Sequence, residues 1–162
     1  MAEGETSRFV AWGEELRAVH RRLRDALRVV RASTEAGDPV GPLSNDLLLF
    51  CRGFCAALTG HHEGEDRELF PAIAAAHPEL RGTLRKLEQD HSMIGTLVAA
   101  LQAAVDRRMP RDAIEAHLDG LAAIMESHFQ YEERELLAVL EALALDAEPS
   151  DVLGPLGTEP RR

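Results

Sequence analysis

Two short stretches of this 162-residue chain repeat the same pattern of reactive side chains. His61-His62-Glu63-Gly64-Glu65-Asp66-Arg67-Glu68-Leu69 and His128-Phe129-Gln130-Tyr131-Glu132-Glu133-Arg134-Glu135-Leu136 both read His, three residues, Glu, acid, Arg, Glu, Leu. A His and a Glu four apart share one face of a helix, about one turn from each other, so an imidazole nitrogen and a carboxylate oxygen can converge on one cation or on adjacent cations. Two further histidines interrupt apolar stripes elsewhere. His20 lies among Leu16, Val19 and Leu23, and His91 among Leu84, Leu87, Ile94 and Val98.

Any one of these histidines alone is ordinary, because His is intermediate in burial. Together they ask for an explanation, since a carboxylate in an apolar seam costs several kcal/mol unless it is paired or bound to a cation. A metal centre built from His20, His61, Glu65, His91, His128 and Glu132 removes that cost for all six. His62 competes with His61 for the inward direction; His61 is preferred for matching the His128/Glu132 spacing, leaving His62 as an outer-sphere or alternative ligand. Tyr131, beside Glu132, is a candidate hydrogen-bond donor or added ligand, with helix packing as its ordinary role. His77, ahead of Pro78, and His117, three turns before His128, fit structural or solvated roles. No catalytic residue is expected beyond the metal ligands.

Imidazole and carboxylate without cysteine suit iron or manganese better than a closed zinc site. Six ligands suit two ions bridged by carboxylates. Cys51 and Cys55, the only cysteines, fall on one helical face and read as small buried core residues rather than a disulfide framework.

The elements that must position these residues are amphipathic helices. The composition, 45% hydrophobic and only 4% aromatic, favours Ala/Leu-rich helices over sheets. Thr6 or Ser7 caps a first helix with Phe9, Trp12, Leu16, Val19, Leu23, Leu27 and Val30 in its stripe, ending at Gly37-Asp38-Pro39. Ser44 caps a second, carrying Cys51, Cys55, Leu58, Phe70 and Ile73 to a stop at His77-Pro78. The third runs through Leu80, His91 and Val105, and Met109-Pro110 separates it from a fourth through Ile114, His128 and Leu143. These make an all-α, up-down antiparallel four-helix bundle over residues 1–147. Residues 148–162, rich in Pro and Gly, read as an irregular tail, frayed or draped on the surface, with no chemistry assigned.

A net charge of −10 disfavours nucleic acid as a partner. The N-terminus lacks a basic-then-apolar signal layout and no apolar run approaches the length of a membrane span, so a soluble, cytoplasmic protein is expected. The oligomeric state is not legible.

The segments HRRLRDAL from His20, HHEGEDRELFP from His61, EQDHSMI around His91 and HFQYEERELL from His128 resemble the hemerythrin-like family of HHE cation-binding domains, over roughly residues 10–145. The resemblance implies a di-iron centre, oxo- or hydroxo-bridged, with His20, His61, His91 and His128 as nitrogen ligands and Glu65 and Glu132 as bridging carboxylates. It implies binding of dioxygen or reaction with small oxidants such as hydrogen peroxide or nitric oxide, with catalase- or peroxidase-like turnover as the enzymatic form. A redox-, oxygen- or iron-sensing module without turnover is the alternative. Oxygen-carrying hemerythrins supply a second histidine four residues before the other on the third helix, where this chain has Leu87, or Gly95 if His91 is the earlier of the two. They also place an aspartate five residues after the fourth-helix histidine, where this chain has a glutamate after four. Fewer protein nitrogens leave more open coordination, which favours peroxide or nitric oxide chemistry over pure oxygen carriage.

Overall fold

A computed structural model describes residues 10–35 and 44–157. The expected Thr6 or Ser7 cap, Phe9 and the break at 37–42 lie outside the described residues. Within them, the chain order is α1 (Trp12–Glu35), α2 (Asn45–Gly64), α3 (Phe70–Ala76), α4 (Arg81–Asp106), α5 (Arg111–Leu140) and α6 (Pro149–Leu153).

Each long helix forms where the apolar stripe predicts and buries that stripe. Leu16, Val19, Leu23 and Leu27 of α1 face inward, as do Leu84, Leu87, Ile94 and Val98 of α4 and Leu118, Leu121, Met125 and Leu136 of α5. Ser44 caps α2, its hydroxyl accepting from the Leu47 amide at 3.1 Å. Pro78 opens the short turn that leads into α4, and Pro110 stands immediately before α5.

The helices neighbour one another in a ring: α1 on α2, α2 on α4, α4 on α5 and α5 back on α1. Cross-links set the directions. Along α1, Arg24 pairs with Glu126, Arg31 with Asp119, and Arg111 donates to the Thr34 carbonyl, so α1 and α5 run antiparallel. Arg52 with Asp106, and Asp66 with His91, set α2 antiparallel to α4.

Two features depart from the expected plan. The second helix is not one regular α-helix. Residues Glu65–Leu69 form a π turn that joins α2 to α3, with the Phe70 amide donating to the Glu65 carbonyl five residues back. The extra residue in that turn rotates α3 relative to α2, so that Leu69, Phe70 and Ile73 are all buried. π turns concentrate at functional sites because they cost hydrogen-bond geometry that packing must restore.

The second departure lies in the described part of the tail, residues 148–157, which packs on the bundle rather than lying frayed on its surface. Residues 149–153 form α6, whose Val152 and Leu153 are fully buried against α2, the π turn and α1. Gly64 makes this approach possible, because a Cβ there would collide with the Val152 carbonyl. Gly154 then turns the chain at φ +88°, the left-handed region where glycine carries no Cβ penalty. The sequence pattern missed α6 because five residues are too few to display a period.

Candidate metal centre

All six residues singled out as ligands meet inside the bundle. His20 comes from α1, His61 from α2, Glu65 from the π turn, His91 from α4, and His128 and Glu132 from α5, and all are buried. His62 joins them, also buried.

The orientation of the rings is set from behind. His91 Nδ1 lies 2.7 Å from Asp66 Oδ1, His61 Nδ1 donates to the Leu153 carbonyl at 2.9 Å, His128 Nδ1 lies 3.3 Å from Asp90 Oδ2, and His20 Nδ1 lies 3.4 Å from Glu133 Oε2. For His61, His91 and His128 an acceptor on Nδ1 favours the proton there and leaves the Nε2 lone pair facing inward, the arrangement that outer partners impose on ligating histidines, whereas the His20 contact with Glu133 is within ion-pair reach but lacks hydrogen-bond geometry. Aromatic rings complete the support: Phe129 stacks on His20 with centroids 3.9 Å apart, and Phe70 lies 5.5 Å from His91.

Inside, donor atoms crowd together, and apart from a His91 Nε2–His128 Nε2 contact most do not satisfy one another. His61 Nε2 is 3.0 Å from Glu65 Oε1, His128 Nε2 is 3.3 Å from Glu132 Oε2, and His20 Nε2 is 3.4 Å from Glu132 Oε1. None of these three contacts has hydrogen-bond geometry. Both ring nitrogens of His20, Nε2 of His61 and His62, and both oxygens of Glu65 and Glu132 are buried with no hydrogen-bond partner. Native interiors rarely tolerate one such atom without a reason. The separations supply one: two donors about 2.1 Å from a cation lie about 3.0 Å apart at a right angle and about 3.4 Å apart at the tetrahedral angle. His91 Nε2 and His128 Nε2, 3.1 Å apart, fit the same range.

The donors form overlapping close sets, each with ligand atoms within 4.8 Å of one another: His20, His61 and Glu132 on one side, His62, His91 and His128 on the other, and His61, His62 and Glu65 and Glu65, His91 and Glu132 linking them. Glu132 faces both, with Oε1 toward His20 and Oε2 toward His128 and, at 3.9 Å, His91. Glu65 Oε1 faces His61 and, at 3.6 Å, His91.

Residues 13–140 match the hemerythrin HHE cation binding domain. The chain belongs to that family. No curated protein and no solved structure gives a match. As a hemerythrin HHE domain with buried His/Glu clusters, the bundle is a metal-binding domain, and its donor set is one a cation fits.

Electrostatics show what the HHE centre must do to take a cation. Burial pushes Glu65 well above the usual carboxyl range, and the Glu132 charge adds to this. Burial opposes charge on Glu132 too, but Glu65, His128 and His20 beside it hold it well below that range. His20 is raised, burial being outweighed by Glu132 and Glu133. Burial, reinforced by His20, lowers His61 to about 3.

Tyr131 is the one expected site residue that the structure takes elsewhere. Its ring lies under Lys86, 3.9 Å from the ammonium, and 5.2 Å from the Arg134 guanidinium. His128 and Glu132 define the inward line of α5, and Tyr131, one position before Glu132, is rotated about 100° off it. His77 pairs with Glu79 near the surface, and neither it nor His117 joins the clusters. Sequence reasoning missed Asp66, Asp90, Glu133 and the Leu153 carbonyl. The His62-to-Asp66 spacing was a signal for the first, since it repeats His61-to-Glu65 one residue along.

Proposed function

We propose that the bundle holds two iron ions, His20 and His61 on one side, His91 and His128 on the other, with Glu65 and Glu132 between, and that dioxygen or small oxidants react there. Hydrogen peroxide is the leading substrate class and nitric oxide a further one. The observation that carries this reading is the concentration of buried, unpartnered donor atoms in one place, with Glu132 presenting one oxygen to each histidine group. Two linked groups match the arrangement in which a carboxylate bridges a metal pair.

Iron, when bound, supplies reversible electron transfer to dioxygen or peroxide. The chain supplies the rest. Asp66, Asp90 and the Leu153 carbonyl hold His91, His128 and His61 through Nδ1, and Phe129 stacks on His20, so these rings are oriented before loading. Phe70, Phe129, Leu58 and Ile94, all buried, surround the donors with apolar atoms. A reading as a sensor without turnover draws on one contact: the His61–Leu153 hydrogen bond links the centre to α6, through which occupancy could reach a partner.

Iron-loaded protein mixed with hydrogen peroxide tests the proposal, with peroxide followed by absorbance and dioxygen by electrode. Repeated turnover, lost in Glu65→Ala along with the iron, is the expected result. Iron-loaded protein that leaves peroxide and dioxygen untouched and keeps an unchanged spectrum would sink it. A large fall in thermal stability on chelation without any turnover would favour the sensor.

A further inference from the structure

His61 and His62 are consecutive, and consecutive helical residues point about 100° apart. Both are nevertheless buried, because they straddle the inward direction of α2. His61 turns toward α1, its ring edge-on to His20 at 5.3 Å, and its Nδ1 is taken by the Leu153 carbonyl. His62 turns the other way. Its ring stacks on His91 with centroids 3.9 Å apart and planes 12° apart, and meets His128 edge-on at 5.2 Å.

As a packing residue His62 would be poorly chosen, since its Nε2 is buried with no hydrogen-bond partner. An apolar ring would stack on His91 without stripping that nitrogen of water for nothing in return. The ring does have company: one nitrogen from each of His62, His91 and His128 falls within one 4.8 Å cluster, and His62 also groups with His61 and Glu65. The next acid on the same face, Asp66, holds His91 from behind at 2.7 Å. His62 therefore faces the α4 side of the centre as His61 faces the α1 side, with Glu65 reaching both.

We propose that His62 is itself a metal ligand, so that the two positions are unequal: three imidazoles from His62, His91 and His128 on the α4/α5 side, two from His20 and His61 on the α1 side. The inference rests on the two-ion reading above. It predicts that the three-imidazole position loses affinity selectively when His62 is removed. A cavity of about 210 Å³, lined by Leu58, Thr59, His62, Asp66, His91 and Ser92, opens beside His62 between α2 and α4 and leaves room for a small molecule to reach its place.

The test is cobalt(II) binding to the full chain by equilibrium dialysis, with metal counted by elemental analysis and the visible cobalt spectrum recorded. Wild type should bind two ions. His62→Ala should bind one as wild type does and the other at least about 10-fold more weakly, since loss of even an outer partner weakens metal sites by about 10- to 100-fold. Added imidazole should restore the second ion and its spectrum by filling the vacated space. His77→Ala, outside the clusters, should match wild type. Two ions bound by His62→Ala with wild-type affinity and spectrum would overturn the role of His62 while leaving the centre intact. Wild type that binds no cobalt, iron or manganese pair would overturn the two-ion reading and this inference with it. If His62→Ala loses its helical circular dichroism, His62→Gln carries the same measurement with the same two outcomes.

Discussion

At the scale of single residues, each histidine that reaches the centre was visible because it breaks an apolar stripe; the groups that aim it were not. Asp66, Asp90 and Glu133 are three of 28 acidic residues, and nothing in composition or period separates them from acids on a solvated face. Their role comes from Nδ1 distances of 2.7 to 3.4 Å, which only the packed helices create. Asp66→Asn should therefore lower metal affinity by about 10- to 100-fold while leaving helix content unchanged, measured by metal titration and circular dichroism. Wild-type affinity would reduce the Asp66–His91 contact to a surface pair.

The same scale carries a pH prediction. Burial raises Glu65, and Glu132 and Glu133 raise His20 against burial, so the metal-free centre holds these protons to higher pH than free side chains would, and a cation must displace them. Metal affinity should thus fall as pH falls, and loading in weak buffer should acidify the solution, as an indicator dye would report. A pH-independent affinity would show that these groups do not bind the metal. The cysteines behave differently. Burial pushes Cys51 up to about 11, and burial with Cys51 nearby pushes Cys55 up to about 12, so at pH 8 neither is a thiolate. An alkylating reagent should leave both intact in the folded protein and modify both after denaturation, read by mass spectrometry. Rapid labelling of the native chain would contradict their place in the core.

At the scale of elements, the four long helices were legible from stripes of leucine and valine, and each stripe is buried where its period placed it. The π turn and α6 were not legible. A π turn has no residue signature, because it is a compromise between hydrogen bonding and the packing of Glu65, Leu69 and Phe70. The five residues of α6 contact α2 across some ninety positions, and the contact to His61 is made by a backbone carbonyl, to which the sequence is blind. Truncation after Ala147 removes that acceptor together with buried Val152 and Leu153, whose burial contributes about 1.5–3 kcal/mol each before the cost of ordering the segment is counted. The shortened chain should melt several degrees lower and hold its metal less tightly, by calorimetry and metal titration. An unchanged melting point and affinity would show that α6 is dispensable to the centre.

At the scale of the whole molecule, the bundle spends the middle of its core on groups that a core normally excludes. Among the described residues the buried polar side chains are His20, Thr34, His61, His62, Glu65, His91, Arg111, His128 and Glu132, and seven of the nine belong to one cluster. Around it, apolar side chains from every long helix pack continuously. No helix is long and apolar enough to cross a membrane among those residues. Such a fold is stable without a cation only to the extent that apolar packing outweighs two buried carboxyls, so binding a cation should stabilise the fold. The most direct measurement is iron per chain, by elemental analysis of protein produced with ample iron and read beside its near-ultraviolet and visible spectrum. Two irons per chain with ligand-to-metal charge-transfer bands is the expected result. A well-folded, fully helical protein with no bound metal would contradict the account.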